Sequence, residues 1–399
     1  HQVHDRLMAT NIKGIGELLL NVVGCTGNGV SPIVITVDNL PLTVKVGQKI
    51  LVGSVGGNTN ANGTKTITAL NYTSKTITFA GTGNGAYTPA TGNVGREYGS
   101  LISWNTATAI NLVAAGNIEI GEIYDDGLMT LVAGAMIFTG ATTNASNYRI
   151  LRAWNGGANG NHRYDPASQQ GVRIKKAVTP TFPNVFEINE NYFRLEGAYT
   201  EITDGGSWAG SGTARGVYVN TNCHHVRIDG ITIRGREMAI TGSAPAGIDG
   251  LSHAAQALFS GVGNSYVAGD ELIVTNSVAI GSSEPSLGLV NGFRTLGSQF
   301  DQFLNCGAYK CVNGVGRGFN MGALNVFVIN CWSFKSSFAD FTLSTGAGNN
   351  LAASDNSCVA QLNSLEYVTD IDVMLNPEYE DFRLRYTSSL LDAGQALTS

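Results

Sequence analysis

Phe303-Leu304-Asn305-Cys306 and Val328-Ile329-Asn330-Cys331 are the two stretches whose comparison decides the fold. Each ends a short apolar run with an amide and a cysteine, and the two asparagines stand 25 residues apart. Working outward, the same corner recurs: apolar, then acid or amide, then a small residue. It reads Leu195-Glu196-Gly197, Ile228-Asp229-Gly230 and Thr275-Asn276-Ser277, with a weaker copy at Asp355-Asn356-Ser357. The successive spacings are 33, 47, 29, 25 and 26 residues. The last of these fall within the ~20–30 residues of one solenoid coil, and the 47-residue gap is read as two coils. Asparagine suits such a corner because it tolerates left-handed backbone and its amide bonds to the same residue one coil away. The spacing therefore predicts Asn305 directly beneath Asn330 in an all-β, right-handed parallel β-helix.

Apolar runs too short for helices continue this pattern from Asn117 onward. They include Ile118–Ile123, Tyr148–Leu151, Val172–Ile174, Tyr192–Leu195, Val226–Ile233 and Val326–Ile329. Residues 117–399 are assigned to the solenoid, with longer loops at 153–171, 203–215 and 241–270 as a candidate functional face. Before it, Ile33–Val37, Lys49–Val55, Thr64–Leu70 and Thr76–Ala80 are strand-length runs separated by Asn- and Gly-rich turns. Thr66 and Thr68 alternate with Ile67, the period of a half-buried antiparallel face. Residues 25–97 are thus a small antiparallel sandwich or barrel, and residues 1–24 a short helix or an extended linker. Within 98–116, Ser100 caps a helix that puts Leu101, Trp104, Thr108 and Leu112 on one face. A helix there covers the raw first coil of the solenoid.

Composition limits the function. Charged residues are 14% of the chain and the formal net charge is −6. The densest basic cluster, Arg173 to Lys176, reads as a solvated strand end, so a nucleic-acid partner is not expected. No apolar run is long enough to span a membrane, and the Leu18–Leu20 patch beside Glu17 is no signal peptide. The six cysteines, Cys25, Cys223, Cys306, Cys311, Cys331 and Cys358, form no CxxC pair. They are expected to be unpaired and buried, with no metal site and no cofactor. Cys223-His224-His225 holds adjacent histidines that a strand would point to opposite faces.

Two resemblances rest on named residues. Val46-Gly47-Gln48-Lys49-Ile50, Gly56-Gly57-Asn58-Thr59-Asn60-Ala61-Asn62-Gly63-Thr64 and Gly83-Asn84-Gly85-Ala86-Tyr87-Thr88 resemble a module recurrent in bacteriophage tail and other virion proteins. Tyr98–Trp104, Gly121–Gly127, Asn147–Ile150, Gly160–Tyr164 and Glu190–Gly197 resemble the opening pattern of pectate-lyase-like right-handed β-helix proteins. Asp381–Leu384 with Ser388–Gly394 is similar to the closing motif of many of them, with Ser389-Leu390-Leu391 in place of Pro-Ala-Ile. These resemblances imply a virion-type structural or host-recognition protein, a fibre, spike or capsid-decorating component at a virion surface or outside the cell. Its implied partners are copies of itself, most naturally a trimer, together with other virion proteins or a surface polysaccharide. The alternatives are a polysaccharide lyase or glycosidase and a bacterial adhesin.

An enzyme on this scaffold needs a base near acidic residues, or two carboxylates across a groove. Arg234, Glu237, Asp249 and His253 are the candidate set beyond the Asp229 corner. Trp154 and Trp208, in Gly- and Asn-rich loops, are candidates for stacking on sugar rings.

Overall fold

The left-handed corner organises the molecule. Asn276, Asn305 and Asn330 have φ of 51°, 55° and 55°, and on earlier coils the equivalent positions are Gly197 and Gly230. The structure, a computed structural model, describes residues 9–131, 136–165, 168, 170–179, 181, 183–204, 213–220, 223–235, 247–253, 272–281, 291–295, 301–311, 316–321, 326–343, 348–349, 351–353, 355, 357, 374–376 and 381–384. Within it, three parallel sheets run side by side along a right-handed parallel β-helix. One coil contains, for example, the strands Asp301–Leu304, Gly307–Tyr309 and Arg317–Met321, with a two-residue corner between the first two. These strands belong in turn to the first, second and third sheets, and each pairs in register with the coil above and below.

Asn305 and Asn330 do stack. Asn330 Nδ2 donates to Asn305 Oδ1 and Asn305 Nδ2 to Asn276 Oδ1, both at 3.3 Å. Asn276 Nδ2 continues the ladder to Asp229 Oδ1 at 2.8 Å. The register corrects the earlier corners by one residue. Glu196 and Asp229 pair with each other and Asp229 pairs with Thr275, so they end the strand. The left-handed position falls on the glycines that follow, because glycine adopts it without strain whereas Glu and Asp carry a Cβ. The 47-residue gap is one coil, since Val226–Asp229 pairs directly with Leu272–Thr275. Its extra residues, 236–246 and 254–271, follow the second and third strands and lie outside the described residues. The Asp355–Ser357 copy lies past the second-sheet strand Ala352–Ala353, where Ser357 Oγ accepts from Phe341 N, so it is a different corner.

Inward columns fill the interior. Leu151, Leu195, Ile228, Val274, Phe303 and Val328 are aligned coil over coil and fully buried. Phe293, Phe319 and Phe341 stack with centroids 4.9 and 5.0 Å apart. Each such side chain stabilises the fold by roughly 1.5–3 kcal/mol before ordering entropy is subtracted. Cys306 and Cys331 follow the corners and are free and buried, as is Cys223; Cys311 is also buried, while Cys25 is half-buried and free. Cys358 lies outside the described residues. Lys176 departs from the expected solvated strand end. Its side chain turns inward, fully buried, and its amine donates to Asn184 O at 2.5 Å; burial lowers its pKa to about 8.

The N-terminal region is neither helix nor linker where described. Ala9–Ile15 pairs in parallel with Asn117–Ile123 and so adds a strand to the first sheet. Leu19–Cys25 then opens a closed six-stranded barrel with Ile33–Val37, Thr76–Phe79, Gly63–Asn71, Lys49–Gly53 and Asn93–Gly95. The barrel is therefore inserted between the solenoid's first strand and its helical cap. The cap is two helices rather than one, α1 (Leu101–Thr108) and α2 (Leu112–Ala115). Ser100 closes a capping box with Ser103, and Asn111 accepts from Ala114 N to start the second. Leu101, Trp104, Thr108 and Leu112 are buried as their spacing required. A Cβ on Gly121 would meet Trp104 at 2.7 Å, so a side chain-free strand position lets the indole lie on the first coil. Among the described residues, no helix is long and apolar enough to cross a membrane.

Candidate functional site

Three segments lie between the third sheet and the first on successive coils: 141–148, 189–194 and, where described, 220 with 223–227. Tyr192 and His225 hold equivalent positions one coil apart, each with φ of 58°. Tyr192 N donates to His224 O at 3.0 Å, and the Tyr192 and His225 rings stack with centroids 4.6 Å apart at 20°. That left-handed kink breaks the alternation expected for the two histidines. The rings of His224 and His225 meet edge to face at 4.9 Å instead of pointing apart.

Immediately downstream, Arg194 and Arg227 pair in register in the first sheet. The Arg194 guanidinium lies 4.3 Å from the centre of the Tyr148 ring. These groups, with Ala145 and Ile273, line a cleft of about 210 Å³. Neighbouring strands bring the two arginine backbones within ~4.8 Å, and among the described residues neither arginine has a carboxylate at ion-pair distance. Two arginines side by side in the sheet, with no carboxylate at ion-pair distance among the described residues, favour an anionic, planar, oxygen-rich ligand. Flat aromatic faces beside them suit the apolar face of a sugar ring.

Asn191, next to Tyr192 in the chain, lines a second cavity. Its side-chain oxygen accepts from His224 N at 3.0 Å and its carbonyl accepts from Thr143 Oγ at 2.9 Å. With it, Ala141, Thr142, Thr143, Asn189, Glu190, Asn220 and Cys223 line about 490 Å³. Glu190 is held by the fully buried Arg149, whose Nε donates to Oε1 at 2.9 Å. Burial pushes the Glu190 carboxyl up and Arg149 pulls it back. An acid fixed in a buried ion pair is a wall, not a free proton carrier, and among the described residues no second carboxylate faces it across this cavity.

The sequence candidates are not brought together here. Arg234 lies in the second-sheet strand Thr232–Gly235, paired with Glu201 and Ile280. Asp249 takes a register position in the third sheet between Arg215 and Asn291, and His253 one between Val219 and Thr295. Glu237 and Trp208 lie outside the described residues. Trp154 does not offer a face to a sugar. It is 3% exposed, packed 5.0 Å from His162 and 6.1 Å from Tyr124. Nearby, the barrel meets the solenoid through Gln48 beside His162, Lys49 N donating to Tyr124 Oη and Arg96 donating to Asp126. Arg96 pairs with Asp126 at 2.7 Å, both buried. The loops at 203–215 and 241–270 lie largely outside the described residues.

The tyrosine–arginine cleft was missed because its parts are local to no single segment. A signal exists, however. Tyr192-Phe193-Arg194-Leu195-Glu196-Gly197 and His225-Val226-Arg227-Ile228-Asp229-Gly230 repeat aromatic, apolar, Arg, apolar, acid, Gly.

The sequence matches no family model and no curated protein. Among solved structures, the chain is similar to the pectate lyase Pel9A at 12% identity and a TM-score of 0.36, over 75% of this chain and 87% of that one. It is similar to the tailspike gp49 of Pseudomonas phage LKA1 at 9% identity and a TM-score of 0.22, over 90% of this chain and 58% of that one. A third is the gp54 tailspike of Acinetobacter baumannii phage AP22, in complex with a capsular saccharide of that bacterium. The identity is 9% and the TM-score 0.16, over 89% of this chain and 60% of that one.

Proposed function

We propose that this chain is the β-helical body of a virion-surface recognition protein, and that it binds an acidic surface polysaccharide at the Tyr148–Arg227 cleft. The observation that carries the reading is the in-register pair Arg194 and Arg227, with no carboxylate at ion-pair distance among the described residues and flanked by the Tyr192–His225 stack. A column of corners repeating every coil presents groups at a fixed pitch, which matches a ligand that itself repeats. The virion setting is supported by the phage-like pattern of the barrel segment, and a homotrimer is the association that setting implies.

Isothermal titration with uronate-containing oligosaccharides tests the site. Each charge-assisted contact contributes roughly 1.5–3 kcal/mol, so Arg194→Ala and Arg227→Ala should each weaken binding by about 10- to 100-fold. Folding is checked by unchanged circular dichroism. A wild-type protein that ignores every anionic glycan in the panel, or variants that bind as well as the parent, would overturn the reading.

A depolymerase is the second reading, favoured by the register position of Asp249 beside Arg215 on the third sheet. Asp249 and Glu237 are its candidate carboxylates, while Arg234, on the second sheet, and His253, four residues along the strand, are not grouped with Asp249. Reducing-end release or unsaturated-uronate absorbance that disappears in Asp249→Asn or Glu237→Gln would replace recognition with catalysis.

A further inference from the structure

Few side chains change charge between about pH 5 and 8, and the arginine cleft holds one that does. Arginine stays protonated and tyrosine neutral across that range, whereas a histidine imidazole ordinarily takes up its proton near pH 6.5. His225 lines the cleft together with Arg194, Arg227, Tyr148 and Tyr192. Its chain neighbour His224 does not line it.

The groups that face His225 set the sign of any response. From the preceding coil the Tyr192 ring lies flat against it, with centroids 4.6 Å apart, and the His224 ring meets it edge on at 4.9 Å. Burial, and then the adjacent His225, lower the pKa of His224. Arg194 and Arg227 share the cleft, and among the described residues no aspartate or glutamate lines it. A third positive charge in a space of about 210 Å³ is opposed by both guanidinium groups. The face of Tyr192 offers it a smaller attraction. A bound carboxylate reverses that balance. It neutralises the arginines and sets an anion beside the imidazole, and an opposite charge within ~4–6 Å moves protonation upward by about 1–3 pH units. Linkage is reciprocal, so a ligand that favours the proton is favoured by it to the same degree.

Resting on the recognition reading above, we infer that His225 makes the cleft pH-responsive, so that an acidic glycan binds together with a proton and is held more tightly in mildly acidic surroundings. Well above the histidine range the imidazole is neutral in both the free and the occupied cleft, and the gain vanishes. Well below it the imidazole is charged in both, and the gain is complete.

Isothermal titration of an oligogalacturonate hexamer at pH 5.5 and pH 8 reads the coupling, because carboxyls that titrate near about pH 4 stay ionised at both. Wild-type protein should bind about tenfold more tightly at pH 5.5, the change that matches a displacement of about one pH unit. At pH 6.5, titrations in buffers of different ionisation enthalpy should show net proton uptake on binding, a measurement that needs no variant. His225→Asn removes the titrating ring and tolerates the left-handed backbone at this position. It should bind alike at the two pH values. His224→Asn should keep the wild-type dependence, and its loss there would move the proton off His225 and overturn the assignment. Wild-type binding that is equal at both pH values with no proton uptake, or a dependence that survives His225→Asn, overturns the coupling and leaves the arginine cleft standing. Absence of binding at either pH overturns the recognition reading and the coupling together.

Discussion

At the scale of the residue, the asparagine corner joins two requirements in one side chain. The backbone at Asn305 is left-handed, which costs an ordinary L-residue about 1–2 kcal/mol. Its amide also receives from Asn330 and donates to Asn276. Asn305→Gly keeps the backbone permission and loses the ladder; Asn305→Ala loses both. Chemical denaturation should therefore rank stability as wild type, then glycine, then alanine, with alanine lower than wild type by about 1.5–3 kcal/mol. An alanine variant as stable as the glycine variant would mean the left-handed strain has been misjudged. This position was legible because few residue types serve there. The glycine corners at 197 and 230 were misread by one residue because an acid before glycine and an amide before cysteine look alike in sequence, although only register tells which of the pair turns the chain.

At the scale of the element, the junction between barrel and solenoid contains a titratable group held neutral. His162 Nδ1 accepts from Asp125 N at 2.8 Å, and its Nε2 faces the Thr43 carbonyl in the barrel. Burial lowers its pKa to about 4, Arg96 and Lys45 push the same way, and Asp126 opposes them. The unfolded imidazole titrates near 6.5. Above that value both states are neutral and the contribution to stability is complete. As the pH falls toward 4, the unfolded chain takes up a proton that the folded chain refuses, and stability is lost; below about 4 the loss levels off. Urea midpoints at pH 7 and 4.5 should converge for His162→Gln, which keeps a donor and an acceptor, by on the order of 2 kcal/mol relative to wild type. An identical acid dependence in the two proteins would remove His162 from the account. Sequence gave no hint of this contact: His162 and Gln48 are 114 positions apart, and the Trp154 beside it looked like a loop aromatic open to solvent. The same distance problem hid the tyrosine–arginine cleft, whose rings come from three coils.

At the scale of the whole molecule, the chain is a solenoid with a guest. Gly16 N donates to Tyr98 O at 3.1 Å and Tyr98 N to Gly14 O at 3.0 Å, so the host chain closes beneath the insertion. Inside it, Leu19 pairs with Gly95, bringing the barrel's own ends together. The barrel interior is a separate apolar cluster that includes Ile33, Ile35, Ile50, Val52, Ile67 and Phe79 and has no member in the solenoid core. What joins the two is polar: Lys49 Nζ to Ile12 O, Lys49 N to Tyr124 Oη, Gln48 beside His162, and Arg96 to Asp126. Separation would thus expose hydrogen-bonding groups that water can satisfy, not a hydrophobic face. Domains of about 55–65 residues fold alone, and residues 17–96 exceed that length. Expressed by themselves they should give a monomer that unfolds in one cooperative transition. The reciprocal chain, with 17–96 replaced by a short Gly-Ser link, should keep the circular dichroism of a β-helix once Asp126→Asn removes the carboxylate that Arg96 had neutralised. If the isolated barrel has no cooperative transition, or the reciprocal chain collapses even with Asp126→Asn, the barrel is part of the solenoid's folding unit. The polar junction would then be supporting far more than its hydrogen bonds suggest.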